Sequence, residues 1–360
     1  MSRGLGAVLM AALGALAAGP APSYRILVAS ESGDIVSQLE WDGTALKTAK
    51  VVPVGIMPAD IDGPHNVTVS PDGRFWYVTI AHGTPYGSLW KMAADGDTLV
   101  GRAPVEMFPT TISVTPDGEL AFVANSDFHG DHPRVNVVSV IYTPQMLTLT
   151  NVPVCDMPHG VKVNHAGTRV YVSCMNSDEI LELDRQTLAI TRRHPTGTGM
   201  MQMTGHDGME GRSLHDFCSP TFVSVSPDDR RLYVACNHTN ELQVLDAATL
   251  ELVKEIETGH GAYNVEPSPD GKWVIVTNKK DQSVSLVDAG TLTEVARIGT
   301  SKKLPHGVAY APDNRYAFIS IESIGADPGA VDVIDLATRT RVASTPVPLQ
   351  PTGITILRKP

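Results

Sequence analysis

The chain has 360 residues, of which 42% are hydrophobic and 19% are charged, and its formal net charge is −11. With 31 Gly and 26 Pro, the composition favours many short strands joined by tight turns over long helices. An acidic chain without a run of Lys or Arg argues against a nucleic-acid partner, because such a partner requires positive charge to neutralise its phosphates.

Residues 1–22 have the features of a secretory signal peptide. Arg3 supplies positive charge, residues 5–16 are apolar and small, and an Ala-Leu-Ala sequence at 15–17 resembles a cleavage motif. This apolar run is shorter than a membrane span. We therefore expect residues 23–360 to form a single exported domain, periplasmic or extracellular, with no membrane span once the signal is removed.

One pattern recurs six times after residue 60: an alternating strand, a turn of the Ser-Pro-Asp-Gly type and a second alternating strand. The copies begin at Val67, Ile112, Val161, Val223, Val265 and Val308. Such a pattern is typical of a β-hairpin whose turn is built by Pro, Asp and Gly. A third strand and an Asp-x-x-Thr sequence follow four of the hairpins, with aspartates at 184, 246, 288 and 335. We expect these carboxylates to accept backbone N–H groups within a turn.

The spacing of the hairpin turns predicts a β-propeller. Equivalent turn residues stand at 71, 116, 165, 227, 269 and 312, in steps of 45, 49, 62, 42 and 43 residues. A period of roughly 40–45 residues with four strands is typical of propeller blades. Residues 351–356 match the first strand of a seventh unit, and residues 24–30 and 34–42 match its second and third. The sequence thus predicts an all-β, seven-bladed β-propeller of four-stranded antiparallel blades, the last blade closed by both termini.

The longest step between turns contains an insertion at about residues 195–217. It carries Met200, Met201, Met203, His206 and Met209. Methionines in a Gly-rich polar loop suit a flap that packs over the channel, or soft ligands of a copper ion. A lid over a bound ligand is compatible with both interpretations.

Equivalent residues at the start of each innermost strand should surround the mouth of the central channel. In chain order they are His65, Thr110, His159, Thr221, Tyr263, His306 and Thr352. Three converging imidazoles suit a transition-metal site, with copper as the main candidate, although hydrogen bonds to loops and water would also account for them. His82 lies on the same face and is a fourth candidate ligand, and Glu322 there could act as a ligand or base.

The four cysteines form two similar pairs, each linking the start of an inner strand to the end of the second strand. For an exported chain this arrangement favours two disulfides, Cys155–Cys174 and Cys218–Cys236. Thiolate metal ligands are the alternative. There is no Cys-x-x-Cys-His sequence, so we expect no c-type heme.

The second strand of each hairpin ends in variants of one motif, as in YVSC from Tyr171, YVAC from Tyr233 and IVTN from Ile275. This motif resembles that of the YVTN-repeat β-propellers, and the resemblance covers nearly all of residues 23–360. Related propellers include lactonases, the d-type heme domain of cytochrome cd nitrite reductase and the copper-binding propeller of nitrous oxide reductase. The resemblance implies the fold, and it selects none of these functions.

Three functions are compatible with the sequence. The first is an exported propeller that binds a small ligand, such as a copper ion, on its His-rich face. The second is a non-catalytic scaffold that binds a periplasmic protein on the same face. The third is a lactonase-like, metal-dependent hydrolase. The sequence does not decide whether the protein is an enzyme.

Overall fold

The computed structural model of the protein describes residues 24–56, 61–82, 87–126, 135–197 and 217–358. These residues form 28 β-strands and one short 3-10 helix, Glu31–Gly33. Within the described ranges, no helix is long and apolar enough to cross a membrane. The predicted signal peptide and nearly all of the predicted insertion lie outside the described residues.

The strands, numbered in chain order, form seven antiparallel sheets of four strands each. The first three are β1 (Tyr24–Ser30), β2 (Ile35–Trp41) and β3 (Leu46–Pro53). Blade 1 contains β4 (Pro64–Val69), β5 (Phe75–Ile80), β6 (Ser88–Ala93) and β7 (Leu99–Pro104). Blade 2 contains β8 (Pro109–Val114), β9 (Leu120–Asn125), β10 (Val137–Tyr142) and β11 (Leu147–Pro153). Blade 3 contains β12 (Pro158–Val163), β13 (Arg169–Cys174), β14 (Glu179–Asp184) and β15 (Ile190–Pro195).

The remaining blades continue the same order. Blade 4 contains β16 (Pro220–Val225), β17 (Arg231–Cys236), β18 (Glu241–Asp246) and β19 (Leu252–Glu257). Blade 5 contains β20 (Ala262–Pro267), β21 (Trp273–Asn278), β22 (Ser283–Asp288) and β23 (Thr293–Gly299). Blade 6 contains β24 (Pro305–Tyr310), β25 (Tyr316–Ile321), β26 (Gly329–Asp335) and β27 (Thr340–Val347). The last strand is β28 (Pro351–Arg358).

Both termini build blade 7, as the sequence predicts. The order of its strands is β28, β1, β2 and β3. β28 pairs antiparallel with β1, so that Ile356 lies opposite Ile26 and Ile354 opposite Val28. This pairing satisfies the backbone N–H and C=O groups that β1 would otherwise expose at an edge, and it closes the ring of blades.

The hydrophobic core lies between neighbouring blades. Middle strands such as β17 are almost entirely buried, whereas outer strands such as β19 are mostly exposed. One cluster joins Val36 of blade 7 to Trp76 and Val78 of blade 1. Each blade therefore buries the two faces of its sheet against two neighbours, as expected when alternating strands stack around an axis.

The Asp-x-x-Thr sequences form the predicted turns. The Asp288 carboxylate accepts the N–H groups of Gly290 and Thr291, at 2.9 and 2.8 Å. The Asp335 carboxylate likewise accepts the N–H groups of Ala337 and Thr338, at 2.9 and 3.1 Å. These aspartates stabilise the turn between the third and fourth strands.

Both predicted disulfides are confirmed. Cys155–Cys174 has a Cα–Cα distance of 5.9 Å, and Cys218–Cys236 has one of 4.6 Å. All four cysteines are disulfide-bonded and none is free, so the alternative prediction of thiolate metal ligands is wrong. Such bonds are typical of an oxidising compartment.

Candidate ligand site at the channel mouth

The seven predicted channel-mouth residues are the second residues of the seven inner strands. A register irregularity follows each of the three histidines: Pro64 pairs with Ile80, but the next paired residue is Val67, opposite Val78. The same shift follows His159 and His306. Such bulges redirect a side chain away from the regular ladder, and here they occur where the strand meets the channel.

Backbone carbonyls of the next blade hold two of the histidines. His65 Nδ1 lies 2.8 Å from the Thr110 carbonyl, and His159 Nδ1 lies 2.8 Å from the Thr221 carbonyl. Because a carbonyl only accepts hydrogen bonds, each Nδ1 must carry the hydrogen. In a neutral ring, Nε2 is then left as the acceptor.

The small threonines between the histidines are themselves hydrogen-bonded. The Thr110 hydroxyl donates to the His159 carbonyl at 2.9 Å, and the Thr352 hydroxyl donates to the His65 carbonyl at 2.6 Å. Neighbouring inner strands are thus tied together at the level of the histidines, and the threonines do more than leave room for a ligand.

The three histidines come together in one aromatic cluster. The His65 ring centroid lies 5.5 Å from that of His306 and 6.5 Å from that of His159. Phe222 contacts His159 at 5.0 Å, and Tyr263 contacts His306 at 4.8 Å. These contacts are edge-to-face, which is the favourable arrangement for aromatic rings.

A tyrosine, a lysine and a glutamate connect two of the histidines. The Tyr263 hydroxyl lies 3.1 Å from His159 Nε2, and it must donate there because Nδ1 holds the ring hydrogen. Lys279 Nζ lies 3.7 Å from the Tyr263 ring centroid and 2.6 Å from Glu322 Oε1. Glu322 Oε1 in turn lies 3.5 Å from His306 Nε2.

Glu31 is a buried carboxylate between two histidines. His82 Nε2 lies 2.9 Å from Glu31 Oε1, and His65 Nε2 lies 3.8 Å from Glu31 Oε2. Gly63 permits this approach, because a Cβ there would stand 1.9 Å from His82 Cδ2 and the backbone has a φ of +65°. His82 therefore joins the cluster through its contact with Glu31. It is not one of the channel-mouth residues.

Burial controls the ionisation of the cluster. Burial, reinforced by the charge of His65, lowers the pKa of His159 to about 3, and burial with the nearby Lys279 lowers that of His306. Burial also raises the pKa of Tyr263, and Glu322 adds to the effect. For Glu31 burial acts in the raising direction, but His65, His82 and Lys279 together lower its pKa. Near pH 7 the imidazoles of His159 and His306 are therefore neutral and the Glu31 carboxylate is ionised.

His306 has an unusual feature for a buried side chain. It is 1% exposed, and its ring nitrogens make no hydrogen bond of good geometry among the described residues; its polar neighbours are the Thr352 backbone and Glu322 Oε1, the latter 3.5 Å from Nε2. Buried polar atoms are nearly always hydrogen-bonded. A ligand that contacts this ring would account for the exception.

Four residues of this cluster were absent from the sequence prediction: Glu31, Lys279, Phe222 and Phe108. The Phe108 ring contacts those of His65 and His82, with centroids 5.6 and 5.1 Å apart. Phe222 carried a signal that could have identified it, because it is the one large residue among the seven that follow the channel-mouth positions. The methionines and His206 of the insertion, predicted as a lid or as soft ligands, lie outside the described residues.

Comparison with known proteins relates the chain to heme-associated propellers. A family model described as Cytochrome D1 heme domain matches residues 214–304, a range that includes Phe222, Tyr263 and Lys279. The chain is 23% identical to Protein NirF of Stutzerimonas stutzeri over 161 residues, which are 44% of this chain and 36% of that protein. It thus spans about a third of the length of this curated relative.

Solved structures show the same fold at low sequence identity. Hydrazine synthase of Kuenenia stuttgartiensis matches with a TM-score of 0.66 and 20% identity, covering 85% of this chain and 99% of that one. A functionally unknown protein from Desulfotomaculum acetoxidans DSM 771 matches at 0.72 and 14%, covering 93% and 99%. Dihydro-heme d1 dehydrogenase NirN in complex with DHE matches at 0.58 and 16%, covering 92% and 74%. The chain is therefore a seven-bladed β-propeller, and its residues 214–304 are similar to the Cytochrome D1 heme domain.

The prediction of copper or another transition metal ion as cofactor is wrong. No group of three or more His, Cys, Asp or Glu side chains in the described ranges is arranged to hold a metal ion. The physical reason is orientation: the Nε2 atoms of His65, His159 and His306 face Glu31, Tyr263 and Glu322, respectively, instead of one common point. The related proteins are associated with d1 heme instead.

Proposed function

We propose that this β-propeller binds a tetrapyrrole of the d1-heme type at its His-rich channel mouth. The observation that carries the proposal is the cluster of three buried histidines and adjoining aromatic rings, in a chain of which residues 214–304 match the Cytochrome D1 heme domain. A bound tetrapyrrole would supply a flat conjugated ring with apolar faces and acidic substituents.

The residues present suit such a group. Phe222 and Tyr263 offer apolar ring surface, and the lone pairs of neutral imidazoles offer acceptors. Lys279 lies at the cluster, and Lys280 and Lys303 are exposed on neighbouring loops of blades 5 and 6. Lysines there would attract the acidic substituents, although the chain as a whole carries a net charge of −11.

We also propose that the protein acts outside the cytoplasm, as one propeller domain released after removal of residues 1–22. Its two disulfides support this proposal, because such bonds persist in oxidising compartments. A direct test is the N-terminal sequence of the protein recovered from the periplasm or the medium.

The binding proposal is tested by titrating the purified protein with d1 heme and following visible absorption. We expect saturable binding of one tetrapyrrole per chain, weakened at least about tenfold in His306→Ala, because a buried polar contact is worth more than about 1 kcal/mol. His165→Ala is the matched control, since His165 lies in a hairpin turn and is bound to Asp229 instead. Equal affinities of wild type and His306→Ala, or no spectral change at all, would contradict the proposal.

A further inference from the structure

A second cavity occupies the channel on the far side of the histidines. Its volume is about 330 Å³, and its wall is built from the inner strands that follow the channel-mouth residues. None of His65, His159 and His306 lines it. This volume is within the range of small-molecule sites.

Phe222 separates this cavity from the histidine cluster. The residues immediately after the channel-mouth positions are Asn66, Thr111, Gly160, Phe222, Asn264, Gly307 and Gly353. Phe222 alone is large, and its ring contacts His159 at 5.0 Å and Tyr263 at 5.5 Å while it also borders the cavity. The two compartments are therefore distinct, with one aromatic ring between them.

The cavity wall presents hydrogen-bonding groups that the protein does not use. Asn66 and Asn264 line it from blades 1 and 5, and within the described part of the chain the hydrogen bonds of these two residues are made by their backbone groups. Each amide offers two donors and one acceptor oxygen. Residues that carry both hydrogen-bond donors and acceptors thus line the cavity from two blades.

Two of the three charged residues in the wall neutralise each other, and the third is Arg358 at the end of β28. Lys162 of blade 3 and Glu266 of blade 5 meet across the channel, with Lys162 Nζ at 2.8 and 3.0 Å from the two carboxylate oxygens. Ser224 donates to the same carboxylate at 2.9 Å. A ligand between Lys162 and Glu266 would meet no strong net charge from this pair, so neutral polar chemistry suits this part of the channel, whereas the exposed Arg358 lies at the end of β28.

We propose that the lower channel is a second binding site, which takes a small neutral polyhydroxylated molecule, a sugar or polyol. Neighbouring hydroxyls both donate and accept, as the Asn66 and Asn264 amides do. The Phe222 ring provides an apolar surface at the inner end, where the C–H faces of such a molecule would pack. This site shares Phe222 with the proposed tetrapyrrole site and is otherwise built from different residues.

The test is calorimetric titration of the tetrapyrrole-free protein with D-glucose and with ribitol. We expect saturable binding of one of them in wild type, and about tenfold weaker binding in both Asn66→Leu and Asn264→Leu, because each variant removes hydrogen bonds at similar volume. Asn151→Leu is the control: this residue lies on the outer strand β11 and donates to Glu106 at 2.7 Å. Thermal unfolding establishes that each variant is folded. If one of the two channel variants does not fold, the other alone is sufficient for the test.

The outcomes separate the two proposals. No saturable heat with either probe at about 10 mM, or equal binding by wild type and the channel variants, would overturn the sugar site. Asn264→Leu should keep the tetrapyrrole affinity of wild type. A wild type that binds a sugar but no d1 heme would overturn only the proposed function at the channel mouth.

Discussion

The channel histidines are oriented by backbone groups of the neighbouring blade. The Thr110 and Thr221 carbonyls take the Nδ1 hydrogens of His65 and His159, so the tautomer is set before any ligand is present. Their Nε2 atoms then face acidic or phenolic groups. At the residue scale, this network makes the site sensitive to protons rather than to metal ions.

Acid should destabilise the protein through the buried histidines. The pKa of His159 is lowered from 6.5 to about 3 by burial, so between these values the unfolded chain binds a proton that the folded chain does not. The free energy of unfolding therefore falls as the pH drops below 6.5. We expect His159 to contribute a loss of about 2 kcal/mol between pH 8 and pH 5, measured by urea unfolding, and His306 to act in the same direction.

His159→Gln tests this assignment. The variant removes the titrating group, so its unfolding free energy should change about 2 kcal/mol less than that of wild type over the same pH interval. An unchanged pH dependence would show that other groups cause the acid sensitivity. The variant is also expected to be less stable at pH 8, because Tyr263 and Thr221 lose a partner.

At the scale of elements, each blade repeats a strand, a hairpin turn, two further strands and an aspartate turn. Bulges after the channel-mouth residues interrupt the ladder at one end. Aspartates close the turn at the other end. Two blades add a disulfide between the segment that precedes the first strand and the end of the second strand. These bulges, turns and disulfides hold the inner strands in position, and the channel-mouth residues of the candidate site lie on the inner strands.

The turn aspartates should contribute measurably to stability. Asp335 is 4% exposed and accepts two backbone N–H groups. Asp335→Ala should therefore lower the free energy of unfolding by about 2 kcal/mol, as measured by urea unfolding. Asp335→Asn keeps an acceptor oxygen at the same place and should lose less. Equal losses in the two variants would attribute the effect to Arg315, which lies 3.3 Å from the carboxylate.

Removal of one disulfide should lower the free energy of unfolding by more than the loss of one turn aspartate does. Cys218 and Cys236 are 18 residues apart, and closing a loop of that length stabilises a protein by about 3 kcal/mol in the chain-entropy description. Guanidinium unfolding of Cys218→Ala/Cys236→Ala under oxidising conditions measures this difference. A reduced wild type provides the comparison in which both disulfides are open. A loss well below about 1 kcal/mol would show that the bond adds little to the packing around it.

The whole molecule depends on the closure of blade 7. β28 pairs with β1 along its length, its Ile354 joins the core between blades 6 and 7, and Thr352 is bound to His65 of blade 1. One strand therefore connects the last blade in sequence to the first. The same strand completes the wall of the lower channel.

Deletion of residues 351–360 should prevent formation of a stable monomer, because it exposes β1 as an unpaired edge and opens the core beside it. Size-exclusion chromatography and circular dichroism measure the outcome. Deletion of residues 359–360 alone is the control, since it leaves β28 complete. A folded, monomeric protein lacking residues 351–360 would contradict this account of closure.

The repeat in the sequence was sufficient to predict the seven blades, the blade built from both termini and both disulfides. Each of these follows from positions that recur at a constant offset within one blade: Cys155 and Cys218 precede inner strands, and Cys174 and Cys236 end second strands. The channel-mouth positions followed for the same reason. Local patterning determines them, because hydrogen-bonded strands within a blade are neighbours in sequence.

Contacts between blades were decided only by the tertiary structure. Glu31 meets His82 across 51 positions of sequence, Tyr263 meets His159 across 104, and no periodicity links such pairs. The copper prediction failed for this reason: the sequence placed three imidazoles at one level, but the directions of the His65 and His159 rings depend on carbonyls of another blade. Placement around the axis is a property of the repeat, whereas orientation and ionisation depend on through-space neighbours and burial, which arise only when the ring is closed.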